Sequence, residues 1–330
     1  MTEAEDELFA VDELASARNP DTGRPPPQPP ELDPTDRRTR LQWRLRTVLA
    51  GLPGFFEFHN SIAGVDATDL HSLNTLLGAS IETQVVRTLN QQRRLWDPDD
   101  EWLGFTFERQ SQRFPDVRLV QRGGADARPR IALGIELKGW FLLAKEGEPS
   151  FRFTTTPAAC APHDLLVVVP WHLDNVLAGS PVAAEPFVVS ARWAAEYRNH
   201  YWQFSRGGVG LTDRSIAAPA GAAPYPGRDA VIADQPAHDG GKNFGRVARV
   251  PGLMTEFVEA CKTIQALGIP IGDWYRFLRR HSDQADPDEV SEWFARDLRA
   301  HLRQRSEERS AEAVAAALRL TRALSSGRDF

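Results

Sequence analysis

Apolar residues recur every three or four positions in the first third of the chain, which is the spacing of one face of an α-helix. The pattern runs from about Thr68 to Leu95 and predicts a long helix. Its apolar stripe comprises Leu73, Leu76, Leu77, Ile81, Val85 and Leu89. Glu82 lies about 100° round the helix from Ile81, so we expect it at the edge of this stripe.

Strand patterns follow this helix. Segments 115–122 and 130–143 flank the turn-rich sequence GGADARP and predict a β-hairpin. Further extended segments are predicted at 151–156, 164–171 and 186–191. The uninterrupted apolar run Leu165–Val169 is typical of a strand buried on both faces, and only a short crossover fits before it. The sequence therefore predicts an α/β fold with a mixed sheet covered by helices.

The second half of the chain combines a glycine- and proline-rich region, 206–250, with helical patterns. Helices are predicted at 192–204, from Leu253 to Leu267 with Gly268 as the stop, after Asp286-Pro287, and at 311–324. These patterns predict a helical C-terminal elaboration of the α/β core.

Acidic residues are concentrated at the N-terminus. Residues 1–36 hold ten acids, two arginines and seven prolines, so we expect a disordered acidic tail there. The other 294 residues hold 37 basic and 35 acidic side chains, so the net charge of −6 does not exclude a basic cleft in the folded part. Four parts are predicted in all: the tail 1–36, a core 37–205, a loop region 206–250 and a helical region 251–330.

Several classes of protein are excluded by composition. No apolar run approaches the roughly 20 residues that span a bilayer. The N-terminal sequence MTEAEDELFA is acidic where a targeting signal is basic, so a cytoplasmic protein is expected. Two cysteines, Cys160 and Cys261, exclude a disulfide scaffold and a cysteine-rich zinc module. The GGK at 240–242 lacks the remaining residues of a phosphate-binding P-loop.

Three charged residues are candidates for a catalytic site. Glu136 and Lys138 lie two positions apart in an alternating strand, so they share one face about 6.5–7 Å apart. Asp116 follows Pro115 at the start of the preceding strand, and the hairpin would bring it beside Glu136. Two carboxylates and one ammonium group would then meet at one place. An ordinary ion pair on a solvated strand face is the alternative interpretation.

This combination suits phosphodiester hydrolysis. Carboxylate oxygens are the ligands that Mg²⁺ prefers, and the ion neutralises phosphate charge and acidifies a bound water. Lysine supplies a compact charge that can hold the attacking water or stabilise the transition state. The chain has four lysines and 35 arginines, and Glu136–Lys138 is its only acid-x-Lys sequence.

Pro115-Asp116 and Glu136-Leu137-Lys138 resemble the motif of the PD-(D/E)xK nuclease superfamily. The resemblance covers roughly residues 70–205 in an α-β-β-β-α-β order and implies a restriction-endonuclease-like fold. It implies that Asp116 and Glu136 bind Mg²⁺, for which Mn²⁺ can substitute, and that Lys138 serves the water. It also implies that Glu82 completes the metal site, although an exposed helix glutamate is an equal alternative.

The resemblance favours an endonuclease of double-stranded DNA, most like a Type II-style restriction enzyme or a related anti-phage nuclease. It further implies a homodimer, with one site for each strand, and a cognate DNA methyltransferase as a partner. A repair, junction or transposon-end nuclease is the alternative within enzymes. A non-catalytic subunit that uses the same fold to bind DNA or protein is the alternative outside them.

Three basic segments are candidates for DNA contact, and an ordinary loop or helix face is the alternative for each. The first is the glycine-rich stretch 240–249, the second is the helix 192–204, and the third is the arginine-rich stretch 37–46. The residues singled out are Lys242, Asn243, Arg246, Arg249, Arg192, Arg198 and Asn199.

Overall fold

The computed structural model describes residues 24–56, 73–110, 113–123, 129–144, 147–176, 178–206 and 213–280, together with Glu292, Arg296, Arg299 and Arg303. The chain separates into two compact units, residues 1–275 and 276–330. In the second unit, the described residues are helical. The predicted helices after Asp286-Pro287 and at 311–324 lie outside the described residues, apart from those four positions.

The first unit is built around a mixed sheet, with the helices before and after it in the chain. Its helices are α1 (Arg37–Ala50), α2 (Leu73–Gln91), α3 (Arg93–Trp96), α4 (Ala191–His200), α5 (Thr255–Lys262) and α6 (Ile271–Arg280), the last of which crosses the boundary between the units. The strands of the main sheet are β1 (Thr106–Arg109), β2 (Val117–Gln121), β3 (Arg130–Phe141), β4 (Leu165–Leu173), β5 (Pro181–Ala183) and β6 (Phe187–Ser190). Two further strand pairs are β7 (Ile216–Ala217) with β8 (Gln235–Pro236), and β9 (Gln265–Ala266) with β10 (Ile269–Pro270).

Strands β1, β2 and β3 form an antiparallel meander, and β3 pairs in parallel with β4. The start of β4 pairs with β6 and its end with β5, both antiparallel. All nine residues of β4 are buried, which confirms the prediction for the apolar run within it. The predicted α/β class with a mixed sheet covered by helices is confirmed.

The order of elements differs from the predicted α-β-β-β-α-β order. Among the described residues between β3 and β4, the connection contains one short 3₁₀ turn, Pro157–Ala159, and the second long helix of this part follows β6. The segment 151–156 was expected to be a strand, but it contributes a single bridge, from Thr155 to Ala233. β1 was not predicted, although Phe105 and Phe107 alternate with exposed or half-exposed residues there.

The predicted N-terminal tail differs from the structure over residues 24–36. The indole Nε1 of Trp193 in α4 donates to the Pro27 carbonyl at 2.8 Å, and His200 Nε2 donates to the Arg24 carbonyl at 2.9 Å. The guanidinium of Arg24 also lies over the Phe204 ring. A proline-rich segment has no internal hydrogen bonds, so its carbonyls are available to such donors. Residues 1–23 lie outside the described residues.

Two predicted helix boundaries are also corrected. The helix expected from Leu253 to Leu267 spans only Thr255–Lys262, because the following residues form the β9–β10 hairpin. Its turn holds Leu267 and Gly268 at positive φ, 53° and 78°, so Gly268 serves a hairpin turn and not a helix end. The helix expected at 192–204 is α-helical only to His200 and continues as one π-helical turn.

Candidate functional site

The candidate catalytic residues lie where β2 ends and β3 continues. Pairing of β2 with β3 begins at Val117 and Ile135, which sets Asp116 beside Glu136. Beyond this point, β3 pairs with β4 alone as far as Phe141. The predicted arrangement of the hairpin, with the two acids side by side, is confirmed.

A tight fit between Pro115 and β3 positions Asp116. The ring of Pro115 lies directly against Gly134, where a Cβ atom would overlap it. The Leu137 N–H donates to Asp116 Oδ2 at 2.8 Å. On the other side, the Asp116 carbonyl accepts from the Gln110 N–H at 2.6 Å. The carboxyl group is therefore fixed by backbone contacts to its own strand neighbours.

Lys138 joins the two carboxylates. Its Nζ lies 2.5 Å from Glu136 Oε1 and 3.7 Å from Asp116 Oδ2. The side chains of Lys138 and Asp116 are about one-fifth exposed, and that of Glu136 is 10% exposed. The three groups thus form a compact cluster that is largely shielded from solvent but reachable from it.

The electrostatics of the cluster are strongly perturbed. Burial, together with the negative charge of Glu136, raises the pKa of Asp116 to about 7, although Lys138 and the Leu137 N–H oppose the rise. Burial lowers the pKa of the Lys138 ammonium, but the charges of Glu136, Asp116 and Glu82 outweigh it, and the pKa lies above its ordinary value. Two carboxyl groups in one shielded place cannot both ionise cheaply, so the cluster favours a proton or a cation between them.

One oxygen of the cluster has no hydrogen-bond partner in the part of the chain that the structure describes. Glu136 Oε2 is buried and accepts no hydrogen bond from any described residue. Leaving a buried charged acceptor unsatisfied costs more than the roughly 1–3 kcal/mol of a neutral group. A cation bound to this oxygen would remove the penalty.

Glu82 has a different partner from the one predicted. Its Oε2 pairs with Arg109 Nε of β1 at 2.5 Å, while its charge still acts on the pKa of Lys138. Within the described ranges, no group of three or more His, Cys, Asp and Glu side chains is arranged to hold a metal ion. Arg109 was missed from the sequence because β1 was not predicted.

Asp164 is a second buried carboxylate behind the cluster, and it was also missed. It accepts from the Gly134 N–H at 2.6 Å, the Ala161 N–H at 2.8 Å and the Tyr225 hydroxyl at 2.9 Å. Burial raises the pKa of Asp164 to about 6 despite these hydrogen bonds. The acid directly before the apolar run of β4 was the available signal. Asp164 holds Gly134, on which the Pro115 ring rests.

In the segment 240–249, some of the predicted DNA-contact residues are exposed to solvent and others are held by contacts within the protein. Lys242 is exposed. Arg249 is also exposed but pairs with Glu148 and donates to Asn243 Oδ1 at 2.8 Å. Arg246 is half-buried, and its Nε finds no partner in the described part of the chain.

The residues predicted on helix α4 are largely unsuitable for DNA contact. Arg198 is 1% exposed and is held by Asp234 at 2.6 Å, so its prediction as a DNA contact is wrong. Asn199 is engaged in the same network, because its Nδ2 donates to Asp234 at 2.8 Å. Arg192 is exposed but pairs with Glu196 at 3.0 Å. The sequence pattern could not reveal Asp234, which lies 36 residues away from Arg198.

The arginine-rich stretch 37–46 is also partly neutralised. Arg40 pairs with Glu101 at 2.8 Å and Arg44 with Asp99 at 2.6 Å. Arg46 donates to the Val188 carbonyl at 2.7 Å. These contacts tie α1 to the rest of the unit, which favours a structural role for most of its charges.

Comparison with family models, curated proteins and solved structures finds no match to this chain. Among the described helices, none combines the length and the apolar character needed to cross a bilayer.

Proposed function

We propose that this protein is a Mg²⁺-dependent DNA endonuclease that hydrolyses phosphodiester bonds, as a restriction or anti-phage defence enzyme. The observation that carries the proposal is the cluster of Asp116, Glu136 and Lys138. Both of its carboxylates lie within 3.7 Å of Lys138 Nζ, in a largely shielded place.

The residues present fit a divalent cation. Asp116 and Glu136 offer hard carboxylate oxygens, and the buried Glu136 Oε2 has no hydrogen-bond partner among the described residues. Glu82 would join as a further ligand if its carboxylate left Arg109. When bound, Mg²⁺ would supply charge neutralisation of the phosphate and acidification of a water. Mn²⁺ prefers similar ligands and would substitute.

The side chains themselves have distinct tasks in this proposal. Asp116 must lose its proton before it can bind the cation, because the protonated carboxyl is a poor ligand. Lys138 Nζ would turn from Glu136 towards the water or the phosphate, where its fixed positive charge stabilises the developing negative charge. The backbone contact from Leu137 would keep Asp116 in place during this exchange.

The principal test is cleavage of supercoiled plasmid in Mg²⁺, with an EDTA control. We expect the wild type to cut and Asp116→Ala and Lys138→Ala to lose about 10²–10³-fold or more of the rate. Lys262→Ala is a matched control, because this exposed lysine pairs with Glu259 on the surface. Calorimetric titration of Mg²⁺ and Mn²⁺ gives a second readout, in which Asp116→Ala should lose binding, whereas the wild type, Lys138→Ala and the control should bind.

A non-catalytic DNA- or protein-binding subunit is the second candidate function. It is favoured by the pairing of Glu82 with Arg109 and by the lack of a third metal-binding group among the described residues. It predicts metal-independent binding and full function in Lys138→Ala. Normal cutting by Asp116→Ala would refute the assignment of the site.

Further parts of the proposal concern the biological context. A homodimer would place one cluster on each DNA strand, and a cognate methyltransferase would protect the host site. Sedimentation of the isolated protein tests the dimer. Cutting of intact plasmid at a fixed sequence would favour restriction, whereas cutting only of branched DNA or transposon ends would favour repair or transposition.

A further inference from the structure

A solvent-accessible cavity of about 120 Å³ lies between the end of α4 and the loop 243–250. Its volume is many times the roughly 15 Å³ that one water molecule needs. Its principal polar lining residues are Arg198, Tyr201, Arg206, Asn243, Arg246 and Arg249. We call it the arginine pocket.

The arginine pocket carries excess positive charge. Arg198 is neutralised by Asp234, and Arg249 by Glu148. Arg206 and Arg246, by contrast, have no carboxylate partner in the part of the chain that the structure describes. The pocket therefore holds two uncompensated cations, which favours an anionic occupant.

Arg246 is poised for a ligand rather than for a protein contact. Its Nε is buried within the protein and donates to no acceptor of the described residues. A guanidinium donates most strongly to the paired oxygens of a phosphate or carboxylate. Arg206, which lines the same pocket, is held in place because its guanidinium stacks 3.9 Å from the centroid of the Trp202 ring.

The arginine pocket is mechanically tied to the segment that carries Asp116. The Phe153 N–H donates to the Gly245 carbonyl at 2.7 Å, and the Phe153 carbonyl accepts from Arg198 at 2.5 Å. The Phe153 ring in turn packs against Phe114, two residues before Asp116. A ligand anchored in the pocket is thus held in the same compact unit as the candidate catalytic cluster.

We propose that the arginine pocket binds a backbone phosphate of the DNA, away from the scissile phosphate, through Arg246 and Arg206. This inference rests on the proposed function for the identity of the polymer. A free phosphate or mononucleotide would present the same chemistry, so the experiment must separate a polymer phosphate from a free one.

The test measures the affinity of a short labelled DNA duplex by fluorescence anisotropy, without metal, over a series of salt concentrations. The full chain with Asp116→Ala is the starting protein, so that no cleavage occurs. We expect Arg246→Gln or Arg206→Gln to weaken binding about tenfold and to reduce the salt slope by about one. Arg122→Gln is the matched control, because that exposed arginine pairs with Glu108 outside the pocket and should leave both values unchanged.

Unchanged affinity and salt slope in both pocket variants would overturn the inference. A second result would also overturn it: inorganic phosphate or a mononucleotide stabilises the starting protein against heat, Arg246→Gln abolishes this stabilisation, and the affinity for DNA stays the same. The pocket would then bind a free phosphate and not the polymer. Folding is not at issue for Arg246→Gln, because the side chain makes no hydrogen bond or ion pair with described residues, and its melting temperature should match the control. The nuclease proposal can fail separately. If the wild type binds DNA through Arg246 but never cuts it, the inference about the pocket is supported and the proposed nuclease activity is refuted.

Discussion

Replacing Asp116 with asparagine should stabilise the metal-free protein at alkaline pH. Burial and the Glu136 charge raise the pKa of Asp116 from 3.8 to about 7. Folding therefore favours the protonated carboxyl. The protein therefore loses no stability to this group below pH 3.8, where the carboxyl is protonated in both the folded and the unfolded state. The loss of stability grows between pH 3.8 and about 7 and is complete above pH 7.

The expected size follows from the same values. A rise from 3.8 to about 7, at 1.36 kcal/mol per pKa unit, corresponds to about 4 kcal/mol above pH 7. This value already includes the attraction of Lys138, which opposes the rise in the pKa of Asp116. Asp116→Asn should therefore raise the free energy of unfolding by about 4 kcal/mol at about pH 8. At about pH 5 the gain should be about 2 kcal/mol, because there the carboxyl is ionised only in the unfolded chain.

Urea unfolding in EDTA at these two pH values is the assay. Asp99→Asn is the matched control, because this exposed carboxylate pairs with Arg44 and should show no stabilisation at either pH. Adding Mg²⁺ should stabilise the wild type more at the higher pH, because protons compete for Asp116, and should leave Asp116→Asn unchanged. A variant that is destabilised at about pH 8, or equally stabilised at both pH values, would refute the electrostatic reasoning.

Two further predictions concern packing around the cluster. Gly134→Ala should destabilise the protein by about 1–3 kcal/mol in urea unfolding and impair Mg²⁺ binding, because the added methyl group overlaps the Pro115 ring. Gly54→Ala is the control, because the space around its Cβ position is open. Cys160 and Cys261 are buried, and burial raises the pKa of both thiols, so neither should react with Ellman's reagent in the folded protein at about pH 8. Equal stability of the two glycine variants would contradict the first prediction. Rapid labelling of either cysteine before unfolding would contradict the second.

The local chemistry of the cluster could be predicted from the sequence because it depends on short-range geometry. Alternation in β3 fixed the shared face of Glu136 and Lys138, and one hairpin was enough to bring Asp116 to them. The partners of long-range charges could not be predicted in this way. Arg198 looked like a surface residue of a helix, yet its partner Asp234 comes from a distant loop.

The fold class could likewise be predicted more readily than its details. The apolar run in β4 can only belong to a buried strand, and it is buried throughout. Short elements such as β1 and the hairpin around Gly268 carry too few residues for a periodic pattern to distinguish them. Their conformation is decided by tertiary partners, for example by Asn90, whose side chain hydrogen-bonds to the backbone of Phe107 in β1.

The proline-rich segment 24–36 has a consequence for where the folded body begins. Its composition is that of a linker, but its carbonyls at Arg24 and Pro27 serve as acceptors for two side chains of α4. An indole and an imidazole would be left without these acceptors if the chain were cut at the charge boundary near residue 37. The ordered protein therefore starts no later than residue 24. The proline-rich segment packs against α4 and supports it, and does not serve as a linker.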